Sequence, residues 1–306
     1  MKKILVTPRS LTKAGHPALD RLRQAGYEVI FSTPGKQPDE EELLQLLPDC
    51  VGYLAGVEKV SAKVLESAKE LKVISRNGSG VDNIDLATAE KLGIRICKTE
   101  GANAKGVAEL TVGLMFSLVR WVPFHDARMK AETWERRKGI ELDSRTLGLI
   151  GCGQIGKEVA IRALGLGMKV IAYRRHPDRT FTPSDKFSWV SFEEVLKESD
   201  IISLHRPASP TGEPVIDGGA ISKMKKGVYI INSARASLID ETSVLKALEN
   251  GRISGIATDV YAKEPPENYS LVKHERVIAT PHLGGYTEES VDRATIDAIE
   301  NLIDSF

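Results

Sequence analysis

Short apolar runs recur along the chain, separated by stretches in which apolar positions return every three or four residues. The runs at 3–7, 28–31, 51–54, 72–75 and 95–97 are rich in β-favouring residues and predict strands. Between them, 17–25, 39–47, 61–68 and 84–92 carry helical spacing. Gly26 and Gly93 stand where a helix would end before the next strand. Strands and helices alternating at this short interval predict βαβ units and a parallel sheet. A second series opens with a strand at 146–150 and a helix running to about Leu164. It continues with strands at 169–173, 201–204, 228–231, 255–258 and 277–279. Parallel strands need crossovers of one hand, so both halves are expected to be α/β, with doubly wound parallel sheets.

Three further segments complete the pattern. An uninterrupted apolar helix is expected at 106–119, followed by a polar stretch, 123–144, rich in Arg, Lys and Glu. The last segment, 287–306, reads as one helix with Thr287 as its N-cap and Val291, Ala294, Ala298 and Leu302 on one face.

The length of 306 residues fits about two domains. Lys and Arg total 42 and Asp and Glu total 42, so the chain has no overall basic field to attract nucleic acid or anionic lipid. Hydrophobic residues at 42% and charged residues at 27% are a globular balance, which excludes disordered and collagen-like classes. No apolar run approaches the roughly 20 residues of a membrane span. Lys2 and Lys3 precede an apolar stretch too short for a signal-peptide core, so this start reads as a first buried strand. Cys50, Cys97 and Cys152 lie far apart and form no metal or redox motif. A cytoplasmic protein without metal, membrane or nucleic-acid partner is expected.

The first chemical motif is Gly151-Cys152-Gly153-Gln154-Ile155-Gly156. It follows the strand at 146–150 directly and opens a helix, which is the context a dinucleotide fingerprint requires. Gly151 permits the tight turn, Gly153 lets the backbone approach a pyrophosphate, and Gly156 allows close helix–strand packing. The helix start offers N–H groups and a positive dipole end to the phosphates. Cofactor choice is read at the end of the next strand. An NAD site usually has an acid there for the ribose 2′-hydroxyl, whereas an NADP site has arginine nearby. This chain has Arg174 and Arg175 and no acid, with Arg206 past a later strand end. Guanidinium grips a phosphate through paired hydrogen bonds, so NADP is favoured over NAD.

Three further candidates follow later strands: Arg235 after 228–231, Glu264 after 255–258, and His282 after 277–279. Ligands of open α/β sheets bind outside the carboxyl ends of strands, so all three are expected at one crevice. Alone, each has an ordinary reading as a solvated arginine, a turn residue or a structural histidine. Together they supply a carboxylate clamp, a proton carrier and a charge to hold it, the needs of hydride transfer on a 2-hydroxy acid.

At this point the sequence resembles the D-isomer-specific 2-hydroxyacid dehydrogenase family, in its 3-phosphoglycerate dehydrogenase-like branch, over nearly its whole length. The resemblance rests on Arg76-Asn77-Gly78-Ser79-Gly80-Val81-Asp82-Asn83-Ile84-Asp85, Val107-Ala108-Glu109-Leu110-Thr111 and Trp134-Glu135-Arg136. It rests also on the glycine motif, Met224-Lys225-Lys226-Gly227, Ala234-Arg235, Asp259-Val260, Glu264-Pro265-Pro266 and Pro281-His282-Leu283-Gly284. It implies Arg235 on the substrate carboxylate and carbonyl, His282 as acid/base with Glu264 beside it, and Asp259 at the nicotinamide amide. His205, Arg206 and Pro207 would lie along the adenosine, and Ala234 and Gly284 would line the cofactor. Arg76, Asn77, Gly78 and Ser79 would form the substrate loop. Arg76 and Arg136 would converge on an anionic substituent at the third carbon, which favours 3-phosphoglycerate or a similar acidic three-carbon substrate.

The resemblance further implies a flavodoxin-like substrate domain, 1–101 with 286–306, and a Rossmann cofactor domain, 102–285. It implies a homodimer, with 123–144 as an arm to the partner. Two departures stand out. Arg174 replaces the family's usual acid, and Ala236 replaces the glycine that commonly follows the catalytic arginine. Longer phosphoglycerate dehydrogenases carry a C-terminal regulatory domain. This sequence stops at Phe306, so serine feedback through such a domain is not expected. The alternative within the enzyme class is a glyoxylate/hydroxypyruvate reductase. A more remote one is a dinucleotide-sensing corepressor, which typically adds disordered tails that this sequence lacks.

Overall fold

The computed structural model describes residues 1–209 and 211–306. The chain divides into two compact units, Met1–Asn103 with Thr287–Phe306, and Ala104–Tyr286.

In the first unit, strands β1 (Lys2–Val6), β2 (Tyr27–Phe31), β3 (Cys50–Ala55), β4 (Val73–Arg76) and β5 (Arg95–Lys98) form one sheet in the order β2-β1-β3-β4-β5. All pairings are parallel, and the order is that of flavodoxin-like sheets. Alternate residues turn to opposite faces. Ile4 and Val6 pack with Leu54, Val73, Ala298, Ile299 and Leu302, while Leu5 packs with Tyr53, Val64, Leu65 and Ile74. Both faces are covered, which is why the strands read as continuous apolar runs. Helices start where a short polar side chain can accept a first-turn N–H: Asp39 from Glu42, Ser61 from Val64, Asp85 from Thr88. The last helix, Glu288–Ile303, starts the same way, Thr287 accepting from Ser290. A helix at Arg9–Ala14 escapes the sequence pattern because it buries only Leu11.

In the second unit, β6 (Thr146–Ile150), β7 (Lys169–Tyr173), β8 (Phe187–Trp189), β9 (Ile201–Leu204), β10 (Val228–Asn232), β11 (Ile253–Thr258) and β12 (Val277–Ala279) form a sheet in the order β12-β11-β10-β9-β6-β7-β8. All pairings are parallel. This is the Rossmann order with one added strand beyond β11. The edge strand β8 goes unnoticed in the sequence because it is short and buries only Phe187. The helix Ala104–Val119 lies in the core, its Ala108, Leu114, Met115 and Leu118 packed with Leu147, Leu149, Val159 and Ala160, hence its mostly apolar character, broken by Glu109, which pairs with Arg162 at 3.2 Å. No single helix among the described residues is long and apolar enough to cross a membrane. The polar stretch after it is not all loop. Trp121, in the left-handed conformation, separates it from a helix at Val122–Lys130 that buries no residue. Arg137 stacks 3.9 Å over the Phe124 ring and pairs with Glu275 at 3.2 Å.

Strand β6 pairs with β7 on one side and β9 on the other. The direction of winding reverses there, so a ligand crevice is expected beyond the carboxyl end of β6.

Candidate active site

The glycine motif occupies that position. Gly151 follows β6 with φ 97°, and a Cβ on it would stand 2.2 Å from the carbonyl oxygen of His205. Only glycine fits. Gly156 lies in the first turn of the helix Gln154–Gly165, where a Cβ would meet the Gly151 carbonyl at 2.6 Å. Gly153 differs. It is the N-cap, no side chain caps this helix, and a Cβ there would meet nothing within 4 Å. Two glycines thus serve the backbone, whereas Gly153 keeps open the space before uncapped N–H groups. That cradle fits a pyrophosphate. Gln154 is exposed, and Ile155 turns into the core.

At the end of β7, Arg174 and Arg175 are exposed. Arg174 and Arg179, with Tyr173, Trp189 and Glu194, border a depression of about 350 Å³ that Arg175 does not line. Arg179 was not singled out in the sequence. Its only signal is its position five residues after Arg174 in the same loop. Of the loop's two acids, Asp178 is held by Lys157 at 2.6 Å and by Thr180, which pull its carboxyl down to about 2, and Asp185 accepts from the Ser184 hydroxyl at 3.0 Å. Glu194 is engaged by the N–H and hydroxyl of Ser191. His205 follows β9. Its Nε2 lies 2.8 Å from Ser203 Oγ, and burial lowers its pKa to about 4, so the ring is neutral near pH 7. Arg206 is half-buried beside it and Pro207 is exposed.

The catalytic candidates follow β10, β11 and β12. After β10, the buried Asn232 accepts from the N–H of Ala234 at 3.1 Å and donates to the Arg235 carbonyl at 2.8 Å, shaping the turn that carries Arg235. The Arg235 guanidinium donates to the Ala234 carbonyl at 2.7 Å. After β12, His282 Nδ1 lies 2.8 Å from both Glu264 carboxylate oxygens. The N–H of Tyr261 donates to Glu264 at 3.3 Å, and the hydroxyl of Tyr261 donates to the Thr280 carbonyl at 2.8 Å. The His–Glu pair remains open to solvent, with side-chain exposures of 41% and 28%. Asp259, at the end of β11, is buried, and its carboxylate accepts from Thr280 and from the N–H groups of Leu283 and Gly284.

The loop at 76–79 lies in the first unit. Arg76 is the last residue of β4 and is buried. Its Nη1 donates to the Asn77 carbonyl, and its guanidinium lies against Gly78, so it folds onto its own loop. The N–H groups of Asn77 and Gly78 are bonded to the carbonyls of Ala55 and Arg76. Ser79 is exposed. In the second unit, Arg136 is exposed after the helix Val122–Lys130. No cluster of His, Cys, Asp and Glu suited to a metal occurs among the described residues.

A parallel sheet in this order with a glycine cradle at its switch point is a Rossmann-type dinucleotide-binding fold, and Arg235, Glu264 and His282 follow its successive strands β10, β11 and β12. The family model described as "D-isomer specific 2-hydroxyacid dehydrogenase, NAD binding domain" matches residues 112–284. The chain belongs to this family. It is 39% identical over 286 residues to D-3-phosphoglycerate dehydrogenase of Pongo abelii, covering 92% of this chain and 53% of the relative. It is 39% identical over 270 residues to hydroxypyruvate reductase of Thermotoga maritima, covering 86% of this chain and 87% of the relative. The NAD⁺-bound 3-phosphoglycerate dehydrogenase of Entamoeba histolytica superposes with a TM-score of 0.81 at 29% identity, covering 99% of this chain and 92% of that one. The chain thus spans about half the length of the phosphoglycerate dehydrogenases it matches in sequence.

Proposed function

We propose that this chain catalyses reversible hydride exchange between a nicotinamide cofactor and a D-2-hydroxy acid or its 2-keto acid. The observation that carries this reading is the 2.8 Å contact of His282 Nδ1 with the Glu264 carboxylate. With Nδ1 engaged, Nε2 is the ring atom left to pass a proton to or from the substrate's C2 oxygen. Arg235 binds the substrate carboxylate and stabilises charge on that oxygen. Gly151, Gly153 and Gly156 shape the pyrophosphate cradle, and the bound cofactor supplies or accepts the hydride. The first unit is the substrate domain in this reading, and the protein works as a cytoplasmic homodimer.

NADP(H) is the favoured cofactor, on the basis of Arg174, with Arg179 beside it and no unengaged acid in the loop. The NAD reading is favoured by the family's description and by the NAD⁺-bound relative. The substrate is a three-carbon acid, 3-phosphoglycerate or one like it. Burial of Arg76 favours a second reading, a substrate with a neutral end such as hydroxypyruvate or glyoxylate. Initial rates with NADH and NADPH against 3-phosphohydroxypyruvate, hydroxypyruvate, glyoxylate and pyruvate test both choices. Under the phosphate reading, Arg76→Ala raises KM for the phosphorylated acid alone. Equal loss on all four substrates would assign Arg76 to its loop. Turnover of none of them would overturn the function.

A further inference from the structure

The acid/base histidine sits on a loop that its own sequence does not favour. His282 has φ 55°, in the left-handed region, where residues other than glycine are uncommon and strained unless their surroundings hold them. Two side chains from the segment after β11 supply that hold. The carboxylate of Asp259 takes Thr280 Oγ1 at 2.6 Å and the Leu283 N–H at 2.7 Å on one oxygen, and the Gly284 N–H at 2.8 Å on the other. These donors lie on both sides of His282. The hydroxyl of Tyr261 donates to the Thr280 carbonyl at 2.8 Å, the same carbonyl that accepts the His282 N–H at 3.0 Å. The Tyr261 N–H also donates to Glu264, so Tyr261 touches both partners of the His–Glu pair's scaffold.

We propose that Asp259 and Tyr261 are positioning residues that clamp the His282 loop in its left-handed turn and so hold the imidazole against Glu264. This rests on the function proposed above. Asp259 is 1% exposed, and a buried carboxylate that accepts three hydrogen bonds has its acceptor capacity directed into the loop. In Asp259→Asn one oxygen becomes an NH₂ group. It would face either the Gly284 N–H or the Leu283 N–H, donor against donor, and the loop could not keep both backbone bonds. A shift of about 1 Å in the imidazole is enough to slow the chemistry roughly 10²-fold. Tyr261→Phe removes one bond and no charge, and the Thr280 carbonyl keeps its His282 N–H. Its loss is about 3- to 10-fold.

The test measures kcat, KM, the pH–rate profile and cofactor Kd for wild type, Asp259→Asn, Tyr261→Phe, Glu264→Gln and the Asp259→Asn/Glu264→Gln double variant, using whichever 2-keto acid the wild type turns over. The proposal predicts losses in kcat of these sizes at saturating cofactor, with cofactor Kd within about twofold of wild type in Tyr261→Phe, and with the kcat loss of Asp259→Asn persisting whatever that change does to cofactor Kd. It predicts that the double variant loses little beyond the worse single variant, because both changes act through the same histidine. It predicts an acid limb of the pH–rate profile that moves in Tyr261→Phe although no charge has changed. If Asp259→Asn weakened cofactor binding while kcat and the profile stayed as in wild type, Asp259 would serve the cofactor alone and the proposal would fall. Multiplicative losses in the double variant, or a Tyr261→Phe variant identical to wild type, would overturn it too. An inactive wild type would instead remove the function and is read separately from these outcomes.

Discussion

The glycine motif allows the needs of the fold to be separated from those of the ligand, because two of its glycines are crowded by backbone and the third, Gly153, faces open space. Gly151→Ala places a Cβ 2.2 Å from the His205 carbonyl at φ 97°. The left-handed penalty of about 1–2 kcal/mol adds to an overpacking cost of about 1–3 kcal/mol, so destabilisation of about 2–5 kcal/mol is expected. Gly156→Ala meets the Gly151 carbonyl at 2.6 Å, but alanine regains up to about 1 kcal/mol of helix propensity, leaving a net cost of about 0–2 kcal/mol. Gly153→Ala has no protein atom within 4 Å and extended backbone at φ −85°, ψ −151°. Its stability cost is about 1 kcal/mol or less, the N-cap difference between glycine and alanine. Its new methyl group stands in the cradle, and pushing back a phosphate from one or two charge-assisted hydrogen bonds weakens cofactor binding about 10- to 100-fold. Urea unfolding of the apo-protein gives the first quantity, and calorimetric titration with NADH and NADPH gives the second. Gly153→Ala should be near wild type in the first and defective in the second, and Gly151→Ala defective in both. A Gly153→Ala protein that binds both cofactors with wild-type Kd would refute the placement of the pyrophosphate.

Other expectations are simpler to check. His282→Ala should lower kcat by roughly 10²–10⁴-fold while cofactor Kd is kept, as for loss of a general acid/base; near-normal steady-state turnover would remove His282 from the mechanism. Arg174→Asp should shift kcat/KM from NADPH toward NADH by removing a phosphate partner and restoring a ribose acceptor, and a wild type that already prefers NADH would show that Arg174 and Arg179 form a plain surface patch. His205, neutral in the fold down to about pH 4 and titrating near 6.5 when unfolded, binds its proton more readily in the unfolded chain. Its contribution, about 2–3 kcal/mol, is therefore complete above about pH 6.5 and is lost as pH falls toward 4. Urea midpoints at pH 4.5 and 7 should converge in His205→Gln relative to wild type, and an unchanged difference would assign the acid sensitivity elsewhere.

The sheets were readable because parallel strands covered on both faces announce themselves as apolar runs, and the glycine motif because backbone crowding requires glycine at Gly151 and favours it at Gly156. The strand ends carrying Arg235, Glu264 and His282 followed from the same runs. What escaped had weak local signals. The three-residue strand β8 buries one side chain, and Arg179 joins Arg174 only through the path of a loop. The fate of Arg76 depends on how its guanidinium folds back over Gly78, which spacing along the chain does not encode. The hold of Asp259 on the His282 loop spans 25 positions, from Asp259 to Gly284, and arises only once β11 and β12 lie side by side.

In the proposed function this site moves a hydride to and from C2 of a D-2-hydroxy acid. The most direct measurement is isotopic: reduction of a 2-keto acid with a cofactor carrying deuterium at the transferable C4 position, followed by mass and chiral analysis of the product. One deuterium at C2 and the D configuration are expected, with product formation falling by roughly 10²-fold or more in His282→Ala. Product without deuterium at C2, or of the L configuration, would contradict it.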